Sequence, residues 1–99
     1  MKVVSRKVAG KSKYWVYIVQ CRDGTYYTGS TNNIEDRVKL HNRGHGAKYL
    51  RGKLPVKLVY AKEYRYYRNV LHAERNIKKM TREQKERLIK IYERNNRDN

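Results

Sequence analysis

The sequence predicts an α+β fold, a small three-stranded antiparallel sheet flanked by helices in the order β-β-α-β-α-α. Three observations carry that expectation. An aromatic and β-branched run at residues 14–21 is followed by Arg22-Asp23-Gly24 and a second extended run, the pattern of a hairpin. Asn32 with Glu35, and Thr81 with Gln84, place a cap and its partner ahead of helical segments. Between those helical regions, alternating apolar residues return at 56–64.

Each element follows from its residues. Residues 1–13 carry Lys2, Arg6, Lys7, Lys11 and Lys13 with no acid, and read as a flexible basic arm that touches phosphates. Residues 14–21 suit a buried strand, and residues 25–30 return as its partner. Two registers are open to that hairpin. A two-residue Asp23-Gly24 turn would pair Gln20 with Tyr27 and put Tyr17 and Tyr27 on opposite faces. A three-residue Arg22-Asp23-Gly24 loop, with Gly24 left-handed, would pair Val19 with Tyr27 and unite the tyrosines on one face. A shared site needs the second register, which is the one expected.

Asn32 is placed to cap a helix running to about Arg43, where Gly44 and Gly46 end it. A loop with Lys48, Arg51 and Lys53 leads to Pro55 and the third strand. Residues 67–80 have helical spacing, and Thr81 opens a last helix ending near Asn95, with 96–99 fraying. Residues 14–95 thus form one domain, and 99 residues leave room for one modest core.

Charge narrows the partner. Lys and Arg number 25 against 9 Asp and Glu, giving a formal charge of +16 and a sequence pI of about 10.2. Such an excess repels itself, and a polyanion relieves it. Nucleic acid is the expected partner; DNA is expected, although charge alone reads any phosphate backbone. No obligate protein partner is evident. The sequence has no 18-residue apolar run and no signal-peptide core, which points to a soluble, unsecreted, cytoplasmic protein. Cys21, the single cysteine, suits a reducing compartment. The stripe Leu88, Ile91, Tyr92 is too narrow for a membrane-surface helix.

The candidate site begins with Glu74. Positions 67, 70, 71, 74 and 77 share a helix face, and Tyr67, Val70, Leu71 and Ile77 make it apolar. A carboxylate there needs a partner: a metal ion, an arginine or a phosphate-bound cation. The alternative is a structural salt bridge to Arg37 or a lysine. Arg37 and His41 lie four apart beside Ile34 and Val38 and should lean toward the sheet. An arginine fork there can clamp a phosphate or steady developing charge. Tyr17 and Tyr27 sit on facing strands, and a tyrosine acts as a base only where cations lower its pKa from about 10. The remaining acids are scattered, so two-metal chemistry is not expected, whereas one Mg²⁺ (or Mn²⁺) held by a carboxylate, waters and substrate phosphate is. His41 and His45 have zinc-ligand spacing but no thiolate pair to complete a site.

Taken together, Trp15-Val16-Tyr17, Tyr27-Thr28-Gly29, Arg37 with His41, and Glu74 resemble the GIY-YIG nuclease domain over residues 14–80. The segments Gly46-Ala47-Lys48-Tyr49, Leu50-Arg51-Gly52 and Pro55-Val56-Lys57-Leu58-Val59-Tyr60 resemble its small stand-alone members. The resemblance implies that Tyr17, Tyr27, Arg37 and His41 are catalytic and that Glu74 binds the metal. Trp15 stands where the first motif names glycine, and Thr28 replaces the middle isoleucine of the second. The implied activity is Mg-dependent endonucleolytic hydrolysis of DNA, in repair or recombination, with weak or structure-based selectivity. The water would be activated by Tyr17, or by Tyr27 with His41. Phosphate contacts are expected from Lys48, Arg51, Lys53, Lys78, Lys79 and Arg82. A nucleic-acid-binding module on the same fold, barely active or inactive, is the alternative.

Overall fold

The protein's computed structural model describes residues 13–97. Strand β1 (Tyr14–Gln20) is central, with β2 (Tyr26–Thr31) antiparallel on one side and β3 (Lys57–Tyr64) antiparallel on the other. Helices α1 (Ile34–Asn42), α2 (Tyr67–Lys78) and α3 (Arg82–Arg97) complete the expected order. Residues 1–12 of the anticipated basic arm lie outside the described residues, as do 98 and 99. Lys13 is described, and its ammonium is 3.2 Å from Glu63. Helix α3 continues through Arg97, two residues past the expected end near Asn95.

The hairpin closes through the three-residue loop. Cys21 N–H donates to Thr25 O at 2.8 Å and Gly24 N–H to Cys21 O at 2.9 Å. Gly24 has φ +88°, a region open to glycine at little cost. Val19 accordingly pairs with Tyr27, and Tyr17 with Gly29.

Alternation along β1 then divides the molecule. Val16 and Ile18 face α2 and α3, where Val59, Tyr60, Val70, Ile77 and Ile89 close an apolar cluster. Tyr17, Val19 and Cys21 face the other way, toward Leu50 and Val56, with Ile34 and Val38 of α1 alongside. A register shift between Ile18 and Val19 in the β1–β3 pairing delivers Val59 to the helix-covered face.

Two helix starts show how the capping rules operate. The cap of α1 is Asn33 rather than Asn32. Its extended backbone (φ −148°) lets its side chain accept the Asp36 N–H at 3.1 Å, while Asn32 lies outside the helix. At α3 the box forms as expected, with Gln84 N–H donating to Thr81 Oγ1 at 3.2 Å and Thr81 N–H to Gln84 Oε1 at 2.8 Å. Among the described residues no helix is long and apolar enough to cross a membrane.

Candidate active site

Tyr17 is the centre of the site face. Its side chain is buried, and its ring lies across β2 at Gly29. A Cβ at Gly29 would stand 2.6 Å from the Tyr17 hydroxyl and 2.8 Å from Cζ, so the glycine of Tyr27-Thr28-Gly29 is required by fit. The hydroxyl lies 2.8 Å from Nε2 of the equally buried His41. The other ring nitrogen, Nδ1, accepts the Ala47 N–H at 3.2 Å. With Nδ1 used as an acceptor, the neutral imidazole carries its proton on Nε2 and donates it to Tyr17 Oη.

The segment after α1 fixes that ring. A Cβ at Gly46 would overlap His41 Nδ1, so only glycine lets the chain pass there. Asn42, next to His41, holds the following segment with both ends of its amide. It accepts the Val56 N–H at 2.7 Å and donates to Val56 O at 3.1 Å. Backbone and ring are therefore clamped together.

Electrostatics keep the pair neutral in the resting protein. Burial, then the nearby Arg37 cation, pushes the His41 pKa down. Burial and Tyr27 push Tyr17 up to about 12, while Arg37 beside its hydroxyl pulls the other way and Glu74 adds to the rise. Tyr27 meets His41 edge-on with centroids 5.7 Å apart and lies 6.5 Å from Tyr17. The hydrogen bond from His41 thus goes to Tyr17, and Tyr27 contributes a ring wall.

Glu74 approaches from the helix side. Its expected apolar stripe is corrected: Val70 and Ile77 are buried, but Tyr67 and Leu71 are 53% and 38% exposed. The carboxylate sits at the margin of the buried line and is already paired, with Oε2 2.8 Å from Lys78 Nζ. Burial pushes its pKa up, but hydrogen bonds from Lys78 and Ser30, with the Lys78 charge, hold it below the usual carboxylate value. Its charge also reaches Tyr17. Because β2 is an edge strand, groups from both sheet faces meet around it.

This donor set fits one hard cation. Among the described residues no three His, Cys, Asp or Glu side chains converge, and His41 uses both nitrogens, so a His41–His45 zinc site is not formed. A single ionised carboxylate at the margin of the site suits Mg²⁺, which keeps several waters and takes substrate phosphate oxygens as further ligands.

The expected phosphate contacts separate into three groups. Lys48, Arg51 and Lys79 are exposed. Lys53 is held within the fold, 3.4 Å from the Asp23 carboxylate and donating to the Tyr49 hydroxyl at 3.0 Å. Arg82 is held likewise: it donates to Gly24 O at 3.1 Å, pairs with Glu86 at 3.2 Å and covers the Tyr26 ring. Lys78 belongs to the site itself through Glu74. Sequence reasoning passed over Asn42, Ser30 and the Gly46–Ala47 backbone. The one signal for the last was a second glycine two residues after Gly44, which with φ +82° already terminates the helix.

Residues 13–87 match the family model of the GIY-YIG catalytic domain. The chain is 50% identical over 78 residues to a UPF0213 protein of Bacillus licheniformis, covering 79% of this chain and 80% of that one. It is 53% identical over 75 residues to a UPF0213 protein of Clostridium perfringens, covering 76% and 81%. Two solution NMR structures are similar. A UPF0213 protein from Bacillus halodurans has TM-score 0.54 and 37% identity over 80% of this chain and 84% of that one. A protein from E. faecalis has TM-score 0.58 and 35% identity over 84% and 88%.

Proposed function

The chain belongs to the GIY-YIG domain family, a family of nucleases, alongside its UPF0213 proteins, and we propose that it is an endonuclease hydrolysing DNA phosphodiester bonds with one Mg²⁺ or Mn²⁺ ion. The observation that carries this reading is the Tyr17–His41 pair. A buried polar contact inside an apolar face is expensive, and a module that only binds phosphate has no use for it.

Tyr17 is the candidate base: its phenol proton first leaves to solvent. The tyrosinate then takes a proton from the attacking water as the water oxygen bonds to phosphorus and the bond to the 3′-oxygen breaks. His41 Nε2–H and Arg37 would stabilise the tyrosinate before that transfer, and Arg37 steadies the charge that accumulates on the phosphate. That the His41 hydrogen bond goes to Tyr17 and not to Tyr27 supports Tyr17 as the base. Glu74 would hold the ion, which when bound supplies neutralisation of phosphate charge and helps the 3′-oxygen depart. Exposed Lys48, Arg51 and Lys79 bind the backbone, and Lys78 moves between carboxylate and phosphate. Selectivity is weak or structure-based, and the setting is DNA repair or recombination in the cytoplasm.

A second reading, binding without cutting, is favoured by one observation. Lys78 neutralises Glu74 without any metal. The experiment that separates the two uses plasmid, single-stranded and branched DNA with and without Mg²⁺, on wild-type protein and Glu74→Ala. Cleavage is expected in the wild type and absent in the variant, with metal-free DNA binding retained or tightened as a negative charge leaves. The melting temperature should barely move, because an i,i+4 pair with a half-exposed lysine contributes only about 0.5 kcal/mol. Undiminished cleavage by Glu74→Ala would refute the metal role, and a wild type inert on all three substrates would select the binding module.

A further inference from the structure

The aromatic surface of the site does not stop at Tyr27. Tyr49, in the 3₁₀ turn Lys48–Leu50, stacks on Tyr27 with centroids 6.0 Å apart and planes inclined by 24°. Rings therefore run without a break from the buried Tyr17–His41 pair, through Tyr27, to a residue that leaves 51% of its surface in solvent. Tyr49 is also held in place. Lys53 donates to its hydroxyl at 3.0 Å with the ammonium 4.2 Å from the ring centroid, and Lys53 is tied in turn to Asp23 and Thr25 at 3.4 Å. A ring fixed before binding loses little freedom when a partner settles on it. Lys48 and Arg51, on either side in sequence, are exposed cations.

A fixed, half-exposed aromatic ring flanked by cations matches the chemistry of an unpaired nucleobase and its phosphates. Bases inside an uninterrupted duplex are stacked on both faces and have no face to give, whereas unpaired bases do. We propose that Tyr49 is a stacking platform for an unpaired nucleotide flanking the phosphate held at the site. The substrate class is then single-stranded, flapped or bulged nucleic acid rather than continuous duplex. This rests on the reading of the Tyr17–His41 site as one that handles a phosphodiester.

The test is made in EDTA, so that it does not depend on cleavage. An end-labelled oligothymidylate and a blunt hairpin duplex with the same number of phosphates are titrated by fluorescence anisotropy against wild type, Tyr49→Ala and Tyr49→Trp. Loss of one stacking contact should weaken single-strand binding by roughly fivefold to hundredfold in Tyr49→Ala, with duplex binding changed by less than about twofold. Tyr49→Trp should bind the single strand at least as tightly as wild type. A single strand containing 2-aminopurine should also be quenched by the wild-type protein, a readout that needs no variant. Equal losses on both ligands, no loss on the single strand, no quenching, or competition by polyglutamate that Tyr49→Ala equally abolishes would each overturn the proposal. A protein that never cuts but passes these tests keeps the platform and loses the nuclease reading. Cleavage of continuous duplex unaffected by Tyr49→Ala does the reverse.

Discussion

The two faces of the sheet are made from alternate residues of the same strand, yet they obey different rules. Val16 and Ile18 look into an aliphatic cluster closed by α2 and α3, where stability follows from apolar area removed from water. Tyr17 looks into a cluster that includes a histidine, a hydrogen bond and two glycines whose missing Cβ atoms make room, Gly29 for Tyr17 and Gly46 for His41. There, fit matters more than area. The period of two in a strand lets one segment hold the molecule together on one side and position chemistry on the other. Mutations should therefore separate stability from activity by the parity of the residue changed.

The sharpest way to break that comparison is Ile18→Ala. Ile18 is fully buried, and truncation leaves a cavity, so a loss of about 2–5 kcal/mol is expected in a urea melt. Cleavage per folded molecule should be unchanged, because the side chain points away from Tyr17. A large fall in the rate of the folded fraction would show that the faces are coupled. Gly46→Ala is the complement. It drives a methyl into His41 Nδ1, which must move and release Tyr17. A displacement near 1 Å at a reacting group costs on the order of 100-fold in rate, and overpacking costs roughly 1–3 kcal/mol. Cleavage and melting measured on the same preparation distinguish the two variants.

Acid should also strike one face first. His41 has its pKa held down by burial and by Arg37, and a proton on Nδ1 would confront the Ala47 N–H. The unfolded chain, with histidine near 6.5, then binds more protons than the folded one. The contribution of His41 is fully present above about pH 6.5 and is lost as pH falls through the lower folded value. Between about pH 6.5 and 5, before most carboxylates titrate, the melting temperature should decline in the wild type and flatten in His41→Gln. An identical slope in both would remove His41 as the cause.

How far the sequence revealed this division depended on distance along the chain. The hairpin register was legible because Arg22-Asp23-Gly24 offers few turns and only one unites Tyr17 with Tyr27. The helix order was legible from periodicity and caps, with Asn32 and Asn33 interchangeable until backbone geometry chose between them. The contacts of Lys53 with Asp23 and of Arg82 with Gly24 were not legible, because nothing local shows that folding brings those residues together. Glu74 was read too deep, since periodicity gives the direction of a face and not where the edge of β2 ends its cover. Gly46 looked like a helix stop, when its lack of a side chain is what lets His41 be held.

The smallest expected effect lies at the one polar flaw on the aliphatic face. Thr28 pairs with Ile18 across the strands, is 4% exposed, and its Oγ1 is buried without a hydrogen-bond partner among the described residues. It occupies the position where the resembled motif names isoleucine. An unsatisfied buried hydroxyl is destabilising by about 1–3 kcal/mol, less where packing relaxes around it. Thr28→Val keeps the shape and removes the hydroxyl, so a gain of about 1 kcal/mol is expected, seen as a melting temperature higher by roughly 4–8 °C for a domain of this size. Gly29 and Tyr27 on the other face keep their positions, so the cleavage rate should stay within about twofold of wild type. A loss of stability would mean that the hydroxyl has a partner in solution. A change in rate without a change in stability would mean that the Thr28 side chain itself bears on the chemistry, as Glu74 and Ser30 on that side are proposed to do.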